Sequence, residues 1–175
     1  PKPSSAASDV YKRQTKTITM RYTRLTKEQL EELHPEFVNF LATQSVDKAE
    51  WDKIKAQNPE VAEQEIDVFS DLIWEGVLTN AKYLEHYSKH HIFLFHCSDI
   101  HMQTIVIHSL VAEVDFLTKE GLDWLSDNLF TDNVEIQKGQ KVFVDERNDE
   151  IFGLVRQGAI LCDGDLYRQM ENILE

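Results

Sequence analysis

The sequence predicts an α+β fold, with N-terminal helices packed on a small antiparallel sheet and further helices at the C-terminal end. Three observations carry this expectation. Residues 26–80 repeat apolar side chains at three- and four-residue spacing, the period of a helix face. Residues 83–108 change to short β-branched and aromatic runs with turn residues between them, and residues 118–174 mix both patterns.

The first nineteen residues stand apart from this plan. They show no periodic apolar pattern, and they read as a non-native or disordered leader ahead of a single α+β domain spanning 20–175. The stretch SSAASDVYKRQ, Ser4 to Gln14, resembles the translation of a transposon mosaic-end adapter used in preparing sequencing libraries, over eleven consecutive codons. Met20 then reads as the natural start. The leader carries Lys2, Lys12, Arg13 and Lys16 against Asp9, so setting it aside makes the remaining chain more acidic still.

Thr26-Lys27-Glu28-Gln29 fits a capping box and opens a helix. Leu30, Leu33, Phe37, Phe40 and Leu41 keep one apolar face running past Pro35. Either one helix kinks there or a second begins with proline in its first turn, and the kinked helix is the expectation. Asp47 starts a short helix bearing Trp51 and Ile54. Pro59 opens the clearest helix of the chain, with Ala62, Ile66, Phe69, Leu72, Ile73 and Val77 on one face.

Residues 92–97 and 102–108 form an antiparallel pair about Ser98-Asp99, with further strands at 83–87 and 111–116. Thr118 caps a helix carrying Leu122, Leu125 and Leu129. Residues 134–137 and 141–145 flank Lys138-Gly139-Gln140, which reads as a hairpin. A helix over 149–157 ends at Gly158, a strand covers 159–162, Asp163-Gly164 turns, and 166–174 is the last helix.

The 175 residues carry 31 acids against 18 bases, a formal charge of -13, which repels phosphate backbones and predicts no nucleic-acid partner. No apolar run reaches the length of a membrane span. Cys97 and Cys162 lie outside any C-x-x-C spacing, so a reducing, cytoplasmic setting is expected, without a membrane partner. With six glycines, none before Gly76, the sequence has no phosphate-cradling loop and no dinucleotide fingerprint. It also has no G-x-S-x-G elbow and no H-E-x-x-H.

Six of the seven histidines fall at 86, 90, 91, 96, 101 and 108, close to Glu85, Cys97 and Asp99. These are the side chains zinc would use, and His96, His101 and His108 across the hairpin are the metal candidates, or His86 with His90 on a helix turn. Strand alternation turns His96 away from Cys97 and His101 away from His108, so histidines on a solvated sheet face are the plainer reading. Glu31-Glu32-Leu33-His34 supplies one Glu-x-x-His where a di-iron bundle needs two. Glu63, Asp67, Asp71 and Glu75 form an i, i+4 stripe that reads as a solvated helix face. At Trp74-Glu75-Gly76, a glycine permitting close helix approach is the economical reading. The C-terminal block resembles pieces of a winged helix, but its only bases are Arg156 and Arg168, so it reads as a packed cap or protein-contact surface.

From Met20 onward the chain resembles a family of short, uncharacterised bacterial proteins, a domain of unknown function. The resemblance covers residues 20–175 and is most specific at NFLATQS (39–45) and DVFSDLIWEGVL (67–78). It implies no catalytic or binding residue. The sequence therefore predicts a small acidic interaction or regulatory protein without catalytic activity or cofactor. Trp51, Trp74 and Trp124 are its candidate exposed aromatics, for a protein partner. The alternative is a zinc-binding protein or metal-dependent enzyme built on residues 86–108.

Overall fold

A computed structural model describes residues 19–175; the leader and adapter reading of residues 1–18 lies outside them. The element order is α1 (Lys27–Glu32), α2 (His34–Thr43), α3 (Lys48–Gln57), α4 (Pro59–Asn80), β1 (Tyr83–Tyr87), β2 (His91–Cys97), β3 (His101–Ser109), α5 (Lys119–Asn128), β4 (Val134–Val142), α6 (Arg147–Arg156), β5 (Ile160–Cys162) and α7 (Asp165–Leu174). The fold is α+β, with helices before and after one antiparallel sheet. The chain forms two compact units that divide inside α4, between Val77 and Leu78.

In the first unit the capping box at Thr26 is complete. Its hydroxyl accepts from the Gln29 amide, and the Gln29 side chain accepts from the Thr26 amide. The kinked helix expected over Pro35 is instead two helices. Leu33, at φ -93° and ψ 19°, ends α1 and starts α2, and Pro35 sits in the first turn of α2, where its missing N–H costs no helical hydrogen bond. Asp47 caps α3 by accepting from the Glu50 amide. Leu41, Val46, Ile54, Val61 and Ala62 form the buried core, with Phe37, Phe40 and Trp51 packed against it.

The second unit is built on a sheet of order β4-β3-β2-β1-β5, antiparallel throughout. Ile92, Leu94, Ile105 and Ile107 project from one face and are buried with Val114, Phe116, Tyr167 and Met170, while Trp124, Leu125 and Leu129 of α5 pack beside them. No strand forms over 111–116.

The hairpin expected at Lys138-Gly139-Gln140 is absent: β4 is one strand, paired with β3 from His101↔Val142 to Ser109↔Val134. Gly139 pairs with Thr104 in register and is not among the positive-φ residues. A nine-residue β3 offers partners along the whole strand, and Lys-Gly-Gln lacks the two positive-φ positions of a tight I′ turn. The glycine stop at Gly158 (φ 106°) and the turn glycine Gly164 (φ 86°) both adopt the left-handed conformation.

Arg147 ties this unit together. From the start of α6 its guanidinium donates to the carbonyls of Leu78 and Ser98 at 2.8 Å and to that of Ala81. One planar fork thus satisfies acceptors from the end of α4, the α4–β1 link and the β2–β3 turn.

Candidate functional site

A concavity of the first unit lies between α2 and α3. Phe37, Val38, Leu41, Val46 and Trp51 line a cavity of about 660 Å³, with Lys48, Asp52 and Lys55 on its rim. The helical period explains the lining, because positions 37, 38 and 41 fall on one side of α2. The aromatic floor is rigid: Phe37 meets Trp51 edge-on at 5.3 Å and Phe69 at 5.0 Å, and Phe40 meets Phe69 at 5.4 Å. Val38 nonetheless stays 47% exposed. The rim charges are already engaged: Asp47 caps α3, and Asp52 pairs with Lys55 at 3.1 Å and Lys48 at 3.6 Å. Of the three candidate exposed aromatics Trp51 lines this cavity. Trp124 packs against the sheet core, and none of the three is fully exposed.

The acidic stripe of α4, read as a solvated face, stays partly exposed but is engaged by residues 21–24. Asp71 accepts from the backbone amides of Arg21 at 2.8 Å and Tyr22 at 2.9 Å, and Glu75 takes the Tyr22 hydroxyl and the Arg21 guanidinium. Arg24 spans Asp67 and Glu63. Hydrogen bonding to Asp67 and Glu63 raises the guanidinium pKa further against burial. Close approach at Gly76 does not occur either, since a Cβ added there would meet nothing within 4 Å. A buried carboxylate escaped the sequence reading: Glu65 is 2% exposed and accepts from the Gln44 amide at 3.0 Å.

In the second unit one row crosses all five strands on the core-bearing face: Cys162, Tyr83, His96, Gln103 and Gln140, each opposite the next. Tyr83 stacks on His96 at 4.7 Å, His96 Nδ1 lies 3.1 Å from Gln103 Oε1, and Gln103 donates to Gln140 at 3.3 Å. Tyr167 of α7 covers the row, tilted over both Tyr83 and His96. Burial pushes the Tyr167 hydroxyl up to about 12, with the Glu171 carboxylate adding to the shift.

The register distributes the metal candidates. His96 and His101 share the core-bearing face near the β2–β3 turn. His108 projects from the opposite face, seven residues or about 23 Å along β3 from His101. There His108 stacks on His91 at 4.1 Å and lies 3.6 Å from the Glu135 carboxylate. His86 is on strand β1, so a helical His86/His90 pairing does not exist. Among the described residues no group of three or more His, Cys, Asp or Glu is placed to hold a metal ion. Burial pushes the Cys97 thiol up to about 11.

Among the described residues no helix is long and apolar enough to cross a membrane. No curated protein matches the chain, and no solved structure does. A match is found at the level of family, covering nearly all of the chain that the structure describes. Over residues 20–175 the chain belongs to DUF6495, a family of unknown function.

Proposed function

We propose that this protein is a non-catalytic interaction module of the cytoplasm, and that the groove between α2 and α3 receives an amphipathic helix from a protein partner. The observation that carries the reading is the apolar lining of Phe37, Val38, Leu41, Val46 and Trp51, left open with Val38 at 47% exposure. A groove between two helices suits a third, whose apolar residues at i, i+3 and i+4 would meet such a lining. The pairing of Asp52 with both rim lysines and the capping role of Asp47 suit a binding rim better than a reacting centre. Two free thiols fit a reducing compartment.

The test is quantitative affinity capture from cells with the untagged groove intact, compared with Val38→Glu and Trp51→Ala. The reading expects one partner retained by the parent protein and depleted at least about tenfold by either variant, the loss of about 1.4 kcal/mol. Equal recovery by parent and variants, with circular dichroism showing all three folded, would remove the groove from the function.

A further inference from the structure

A second cavity, wholly within the sheet unit and independent of the groove reading, lies where β3 and β4 meet α7. It measures about 320 Å³, and Gln103, Lys138, Gln140, Tyr167 and Glu171 line it. Its two charged groups, Lys138 and Glu171, are opposite in sign. Among the described residues neither the Lys138 ammonium nor the Glu171 carboxylate has a side-chain hydrogen bond or an ion pair. The two charges thus face one cavity without meeting. The Tyr167 hydroxyl, on a residue that lines the same cavity, likewise makes no side-chain hydrogen bond among the described residues.

The carboxamides add direction. Gln103 is held between His96 and Gln140, so its oxygen faces His96 and its NH2 faces Gln140. Gln140 spends its oxygen on that contact and keeps both amide hydrogens for another acceptor. The cavity therefore presents a cation, an amide donor and a phenol beside a single carboxylate. A bound carboxylate group would be met by Lys138 and Gln140, and an ammonium group by Glu171.

We propose that this cavity binds a small zwitterion of the α-amino-acid type, its carboxylate toward Lys138 and Gln140 and its ammonium toward Glu171. The pocket volume lies at the small end of the range for ligand sites, as a metabolite of that size requires.

The experiment is a two-dimensional amide NMR titration of the full chain with each standard L-amino acid, followed by the N-acetyl and carboxamide derivatives of any that bind. The proposal expects at least one amino acid to bind with a dissociation constant of about 1 mM or tighter. Shifts should map to Gln103, Lys138, Gln140 and Glu171. Lys138→Ala and Glu171→Ala should each weaken binding roughly tenfold, a loss of about 1.4 kcal/mol. N-acetylation should matter in the parent protein but not in Glu171→Ala, and amidation should matter in the parent but not in Lys138→Ala. Both variants alter side chains outside the core cluster, and an unchanged urea midpoint confirms that they fold. Absence of binding by every amino acid, binding of both derivatives as tight as that of the unmodified amino acid, or shifts confined to another surface would overturn it.

Discussion

Arg24 Nε donates to Asp67 at 2.6 Å, joining the segment before the first helix to the middle of α4. Arg21 and Tyr22 repeat the arrangement one helical turn further along, on Asp71 and Glu75. The acidic stripe is thus a track for residues 21–24. Arg24→Ala should cost only about 0.5–1 kcal/mol, because the side chain is 41% exposed and water screens the pair. Asp71→Ala removes the acceptor of two backbone amides and should cost about 1–2 kcal/mol. Urea denaturation at low and high salt checks both. The Arg24 effect should shrink with salt, whereas the Asp71 effect should largely persist.

The glycines of the sheet unit separate two kinds of constraint. At Gly164 the backbone is left-handed, and an added Cβ would sit 2.3 Å from the Tyr83 ring, so Gly164→Ala should destabilise by about 2 kcal/mol or more. At Gly139 an added Cβ meets nothing within 4 Å, and the residue lies in an extended edge strand. Gly139→Ala should therefore change stability by no more than about 0.5 kcal/mol. Thermal melts of the two variants give the comparison. A large loss at Gly139 would mean that Lys138-Gly139-Gln140 turns after all.

The stacked imidazoles of His91 and His108 make stability depend on pH. Burial, then the charges of His108 and His90, push the His91 pKa below its ordinary value of 6.5. The unfolded chain then binds a proton before the folded one does, so stability is whole above pH 6.5 and falls as pH drops through the folded value. The urea midpoint should decline as the solution is acidified below neutrality, and His91→Phe should flatten the decline.

Protein prepared without a histidine tag should contain no stoichiometric zinc or iron by mass spectrometry. The expectation follows from the register, which puts His108 on the face opposite His96 and His101. Metal that is present in stoichiometric amount and lost in His96→Ala and His101→Ala would restore the metal reading.

Much of the architecture was legible in the sequence because it rests on local chemistry. The Thr26 and Asp47 caps, the proline that opens α4, the β2–β3 pair, the Gly158 stop and the Gly164 turn each depend on a few neighbouring residues. What escaped depends on partners distant in sequence. Four acids at i, i+4 spacing look solvated until Arg21 and Arg24 are laid beside them. Three residues of open chain can span about 10 Å, close to the roughly 12 Å that separates the two acidic pairs along the helix. That match of spacings was the available signal. β4 was misread because a glycine at the centre of a polar run imitates a turn, and only a long β3 shows that it is not one. The Phe37 to Trp51 groove was foreshadowed by Trp51 alone, since its shape depends on how α2 and α3 cross.

The most direct test of the interaction reading is photo-crosslinking in living cells from a reactive amino acid placed at Val38, with Val144 as the reference. Val144 is 89% exposed and belongs to the other unit. The groove account predicts one discrete crosslinked species from position 38, lost when Trp51→Ala is added, and none of it from position 144. A crosslinking pattern that is the same from both positions, or that survives the loss of Trp51, would contradict it.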